Sequence, residues 1–158
     1  MIQVLFVCLG NICRSPMAEA VFRDMVGKAG LADKIGADSA GTSDWHTGEA
    51  PHAGTRRILE EHGVDHEGMT ARQIHPSDLQ KYHYVIAMDS DNLRNLKGLA
   101  ENGRGDSGHV ARLLDFIPEQ ERKDVPDPFF TGNFEEVYQL VTEGCRRLLQ
   151  FIREREGI

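Results

Sequence analysis

Apolar residues fill Ile2, Val4, Leu5, Phe6 and Val7 almost without a break, the pattern of a strand buried on both faces. A second such run, Tyr84-Val85-Ile86-Ala87-Met88, ends on Asp89 and Ser90, which can cap a helix carrying Leu93 and Leu96. Ile35 and Ala37 lead into Asp38-Ser39-Ala40-Gly41-Thr42, read as the end of a short strand turning into a loop. Val110 to Leu114 reads as a last strand, with Arg112 marking partial exposure. Helical spacing takes over elsewhere. Val137, Tyr138, Val141, Cys145, Leu148, Leu149 and Ile152 predict a long amphipathic helix from Phe134. A shorter helix is expected from Pro51 or His52 to Glu61, closed by Gly63, and another after Pro76. Strands alternating with helices, without linker or repeat, predict one α/β domain over residues 1–158: a parallel sheet with helices on both faces. Ligands in such folds sit at the carboxyl ends of the strands.

The carboxyl end of the first strand carries the chemistry. Cys8-Leu9-Gly10-Asn11-Ile12-Cys13-Arg14-Ser15 joins that strand to a helix, with Ser15 expected as its N-cap and Pro16 as its first residue. Such a loop can turn several backbone N–H groups inward, with a helix N-terminus behind them, and so cradle a dianionic phosphate. Gly10 and Asn11 tolerate the left-handed backbone this cradle needs. The same field favours thiolate over thiol at Cys8, which makes it a nucleophile. Arg14 offers a planar fork for two phosphoryl oxygens, and Ser15 can donate a hydrogen bond to the sulfur. The spacing of Cys8 and Arg14 alone is a weak signal. The surrounding strand, Gly, Asn, Ser and Pro set it apart from a buried core cysteine.

Cleaving a phenol ester also calls for an acid at the departing oxygen. Asp127 is the first candidate, because Pro126 and Pro128 stiffen its backbone and Phe129 and Phe130 follow; Asp124 is the competitor, and a simple turn the bland alternative.

Composition narrows the setting. Charged residues make up 27% of the chain and apolar ones 40%, which excludes a disordered chain and fits an ordinary globular domain. No apolar run reaches membrane-spanning length and no cleavable leader precedes the first strand, so no membrane partner is expected. Three cysteines do not make a disulfide framework, which places the chain in a reducing cytoplasm. A net charge of −7 argues against nucleic acid, so phosphate binding must rest on the local field of the loop. Cysteine and histidine spacings give no metal site, and no cofactor is expected.

The Cys8 to Ser15 loop, Ser39-Ala40-Gly41-Thr42, Ala87-Met88-Asp89 and Asp127-Pro128 together resemble the low-molecular-weight protein tyrosine phosphatase family across essentially the whole chain. The resemblance implies a flavodoxin-like three-layer fold around a four-stranded parallel sheet. It implies a phosphocysteine intermediate on Cys8, Arg14 as phosphate clamp, and Asp127 as general acid and then base. Leu9, Gly10, Asn11, Ile12, Cys13 and Ser15 would surround the phosphate, with Asn11 and Ser39 bracing the loop. Ile12, Trp45 and Phe129 would wall a slot deep enough to select phosphotyrosine by reach and stacking. The alternative for Trp45 is a partly buried structural role. Expected partners are tyrosine-phosphorylated proteins or peptides, with inorganic phosphate as product and a monomeric enzyme.

Two departures stand out. Phe129 and Phe130 replace a pair of tyrosines common in the family, and Met69 replaces a histidine common three residues before Arg72. Related protein-arginine phosphatases tend to have threonine at the position of Ile12, so Ile12 weighs against phosphoarginine. An arsenate reductase would need further cysteines to pass a disulfide outward, and only Cys145 remains, on the stripe of the last helix. A silent phosphotyrosine-binding module is disfavoured by the presence of nucleophile, clamp and acid. Cys13, five residues after Cys8, is a candidate to trap oxidised Cys8 as a reversible disulfide.

Overall fold

A computed structural model describes residues 1–102 and 109–158. Four parallel strands, β1 (Ile2–Cys8), β2 (Ile35–Gly41), β3 (Tyr84–Ala87) and β4 (His109–Arg112), form one sheet in the order β2-β1-β3-β4. The helices are α1 (Arg14–Lys28), α2 (Ala53–Glu61), α3 (Asp78–Lys81), α4 (Ser90–Asn102), α5 (Pro128–Thr131) and α6 (Phe134–Glu156). Side-chain alternation divides the core into two layers. Val4, Phe6 and Cys8 of β1 join Tyr84 and Ile86 of β3 in packing against α1 and α6, where Phe22, Val141 and Leu148 are fully buried. On the opposite face Leu5, Val7, Val85 and Ala87 meet Leu79 of α3 and Leu96 of α4. The expected three-layer, flavodoxin-like arrangement is what these contacts build. Among the described residues no helix is long and apolar enough to cross a membrane.

Register sets the site. Val7 lies between Ala40 and Ala87, and Cys8 pairs with Gly41, so β1 delivers Cys8 to the carboxyl edge between its two neighbours. Three local expectations need correction. α1 begins at Arg14 with Cys13 as N-cap and no side-chain cap, because the Ser15 hydroxyl turns toward Cys8 instead of the helix amides. The fourth strand stops at Arg112, where the Asp115 carboxylate takes the Arg112 N–H at 2.9 Å and folds Leu113–Phe116 into a 3-10 turn. The residues after Asp127 form α5: Asp127 caps it by accepting from Phe129 N–H, Pro128 opens it, and Gly132 closes it at φ 72°.

Candidate functional site

Four carbonyls of the loop, those of Cys8, Leu9, Ile12 and Cys13, are turned outward to partners. Cys8 O accepts from Thr42 N–H, Leu9 O from Ser43 N–H and Oγ–H, and Ile12 O from His52 N–H at 2.7 Å. Cys13 O accepts from Met17 N–H and the Thr55 hydroxyl. The N–H groups of Leu9, Gly10, Asn11, Ile12 and Cys13 donate to no acceptor among the described residues. A ring of unmatched donors therefore faces the space above Cys8, an arrangement that suits an anion. Of Gly10 and Asn11, only Asn11 takes a positive φ, 57°. Gly10 is needed for another reason, since a Cβ there would lie 3.0 Å from the His46 ring.

Asn11 has every polar atom of its side chain engaged. Its Oδ1 accepts from Arg72 N–H at 3.0 Å, which fixes the amide orientation and directs Nδ2 to Ser15 Oγ (2.8 Å) and Ser39 Oγ (2.9 Å). Ser39 in turn donates to Glu19 Oε1 at 2.7 Å, and Glu19 is paired with Arg23. Because Ser15 Oγ accepts from Asn11, its own proton is free for Cys8 Sγ, 3.0 Å away. Asn11 and Ser39 are thus bonded directly, and Glu19 extends the chain. Burial raises the Glu19 carboxyl pKa, against the pull of Ser39 and Arg23. Met69 leaves the brace intact: the Arg72 backbone serves Asn11, while its guanidinium binds Asp38 and Asp78.

Arg14 lies under the loop, almost fully buried. Its Nη1 is taken by Asp89 Oδ2 (2.6 Å) and Val125 O (3.0 Å). Its Nε is buried with no protein partner, and Nη2 makes only a 3.4 Å contact with Asp127 Oδ2. Two donors of one planar fork are thereby left for a ligand. Burial works against the cation, yet the charge on Cys8 and the hydrogen bond to Asp89 raise the Arg14 pKa overall. Cys13 lies at the end of the same loop. Burial, with Cys8 and Asp127 adding to it, pushes its thiol up to about 12, so Cys13 stays protonated at neutral pH. Cys8, Cys13 and Cys145 are all buried free thiols.

A cleft of about 400 Å³ opens above this floor. Cys8, Leu9, Ile12, Cys13 and Arg14 line its base, and Asp127 stands at its side. Trp45, Phe129 and Phe130 form the mouth with exposures of 70%, 51% and 76%, which removes a structural core role for Trp45. Asp124 does not reach the cleft; its carboxylate is occupied by Ser90 N–H and Oγ–H. Four lining or supporting residues escaped the sequence reading: Phe130 at the mouth, His46, whose Nδ1 bonds Glu49 at 2.9 Å, Asp89 on Arg14, and Glu19 behind Ser39. The Ala87-Met88-Asp89 motif held the one signal for Asp89. His46 and Glu19 carried none.

The low molecular weight phosphotyrosine protein phosphatase family profile matches residues 3–157. The low molecular weight protein-tyrosine-phosphatase YfkJ of Bacillus subtilis is 53% identical over 158 residues, covering 100% of both chains. The YfkJ crystal structure superposes with a TM-score of 0.94 at 52% identity, over 98% of this chain and 96% of that one. DARP, a drosophila arginine phosphatase, superposes with a TM-score of 0.91 at 34% identity, over 96% of this chain and 98% of that one.

Proposed function

The chain belongs to the low molecular weight protein tyrosine phosphatases, and from that premise we propose that it hydrolyses phosphotyrosine monoesters through a phosphocysteine on Cys8. The phosphate dianion enters the ring of loop amides, and Arg14 binds two of its oxygens through Nε and Nη2. Cys8 Sγ attacks phosphorus in line, forming the S–P bond as the P–O bond to the phenol breaks on the opposite side. Asp127 gives its proton to the departing oxygen. In the second step the Asp127 carboxylate takes a proton from water, water oxygen attacks phosphorus, and the sulfur leaves as thiolate, steadied by the Ser15 hydroxyl. Inorganic phosphate is released. Neither step calls for a metal or cofactor.

The observation that carries this reading is the set of unmatched N–H groups around Cys8, in a loop held from outside through the carbonyls of Cys8, Leu9, Ile12 and Cys13. Donors fixed in this way need no reorganisation as charge spreads over the phosphoryl oxygens in the transition state. Substrate choice follows from the walls. Ile12 presents no hydrogen-bonding side-chain group to the cleft, and Phe129 and Trp45 offer flat apolar faces, which suit a phenyl ring better than a guanidinium. The likeness to an arginine phosphatase makes phosphoarginine the second substrate to try.

The test compares phosphotyrosine, phosphoarginine and phosphoserine peptides. Wild type should prefer phosphotyrosine, Cys8→Ser should abolish turnover, and Asp127→Ala should slow it by about 10²-fold or more. Turnover retained by Cys8→Ser would rule out the covalent route, and a preference for phosphoarginine would overturn the substrate assignment.

A further inference from the structure

We propose that Ser90 and Asp124 are positioning residues for the acid, a role that rests on the reading of Asp127 as proton donor. The stretch from Asp124 to Asp127 has no regular structure of its own, yet it must hold one carboxyl over the cleft. Its anchors lead back to one turn, Met88-Asp89-Ser90, where β3 passes into α4. Val125 N–H donates to Met88 O at 2.9 Å. Val125 O accepts from Arg14, which the same turn holds through Asp89. The third anchor is Asp124. Its Oδ1 accepts from Ser90 N–H at 2.9 Å and from Ser90 Oγ–H at 2.7 Å, so a carboxylate from a distant loop caps the first turn of α4.

The direction of that hydroxyl bond is determined. Arg112 Nη1 donates to Ser90 Oγ at 3.0 Å, which leaves the Ser90 proton for Asp124. Arg112 is itself held by Asp115 at the end of β4. Three segments, the end of β4, the start of α4 and the acid loop, thus converge on one serine hydroxyl. Asp127 sits two peptide units beyond the clamped Val125, and its own contact with Arg14 is a long one, 3.4 Å. Loss of the Ser90–Asp124 bond leaves the Val125 backbone bonds as the hold on the N-terminal side of Asp127, with the cap on Phe129 N–H and the long Arg14 contact on the other. Phosphate binding, by contrast, depends on the Cys8 loop and Arg14 and is untouched. The brace should therefore matter in proportion to how much the leaving group needs a proton.

The experiment measures kcat/KM for a series of aryl phosphates of rising phenol basicity, with inorganic phosphate as a competitive inhibitor. Ser90→Ala and Asp124→Asn are expected to fall about ten-fold behind wild type on phenyl phosphate while staying within about two-fold on p-nitrophenyl phosphate. Inhibition by phosphate should not change, and Ser90→Thr, which keeps the hydroxyl, should follow wild type. Equal losses across the series, or none, would overturn the brace. Asp127→Ala run alongside separates the two readings. If it steepens the dependence and the Ser90 and Asp124 variants do not, the brace alone fails; if it does not steepen it, the acid assignment fails and takes the brace with it.

Discussion

Glu19 is a charged residue on the buried side of a helix, 3% exposed, and its placement ties the phosphate loop to the body of the protein. Its Oε1 ends a hydrogen-bond chain that runs through Ser39, Asn11 and Ser15 to the Cys8 sulfur. Burial holds its folded pKa above the ordinary 4.5. The stability contributed by the protonated form is therefore complete below that ordinary value and declines as pH rises through the folded pKa. Glu19→Gln does not titrate. Its stability relative to wild type should improve as pH rises above the ordinary 4.5 in urea unfolding, and a difference flat in pH would contradict the assignment. Cys8, Arg14 and Asp127, which the fold brings to one cleft, stand out in the chain because each has a residue type in a distinctive local setting. Glu19, Asp89 and His46 do not, because their partners are brought to them by the fold: Ser39 by β2, Arg14 by the approach of β1 to β3, and Gly10 by the loop after β2.

Among the elements, β1 and β3 were legible because residues buried on both faces leave continuous apolar runs, and α6 because its stripe persists over 23 residues. The short pieces were not. In α5 a cap, a proline and a closing glycine fall within six positions, and the same residues describe an ordinary turn. The 3-10 turn depends on Asp115 turning back on Arg112, against a sequence that continues to look like a strand. That turn also shapes α6. A Cβ at Gly144 would lie 2.5 Å from Leu113 Cγ, and Leu113 is fully buried with no room to yield. Alanine normally stabilises a helix over glycine by about 1 kcal/mol. Here overpacking of about 1–3 kcal/mol should outweigh that gain, so Gly144→Ala should lower the denaturation midpoint. A higher midpoint would show that the helix and turn can move apart.

For the whole molecule, the strand order β2-β1-β3-β4 places β1 in the interior, with the chain first winding to one side and then returning to the other. The crevice at that reversal is where α/β sheets of this kind bind ligands, and both the Cys8 loop and the Met88-Asp89-Ser90 turn open onto it. A chain of net charge −7 can thus hold a dianion, since amides and one guanidinium act at contact distance while surface charges are screened by salt. The proposed reaction requires a bond between Cys8 and phosphorus. Asp127→Ala mixed with p-nitrophenyl phosphate tests it most directly, because a good leaving group departs without help while water attack lacks its base. Phosphorus NMR of the protein denatured in alkali during turnover should show a phosphothioester, mapped by peptide mass to Cys8. No phosphorus on the protein, or phosphorus on a residue other than Cys8, would exclude a phosphocysteine intermediate.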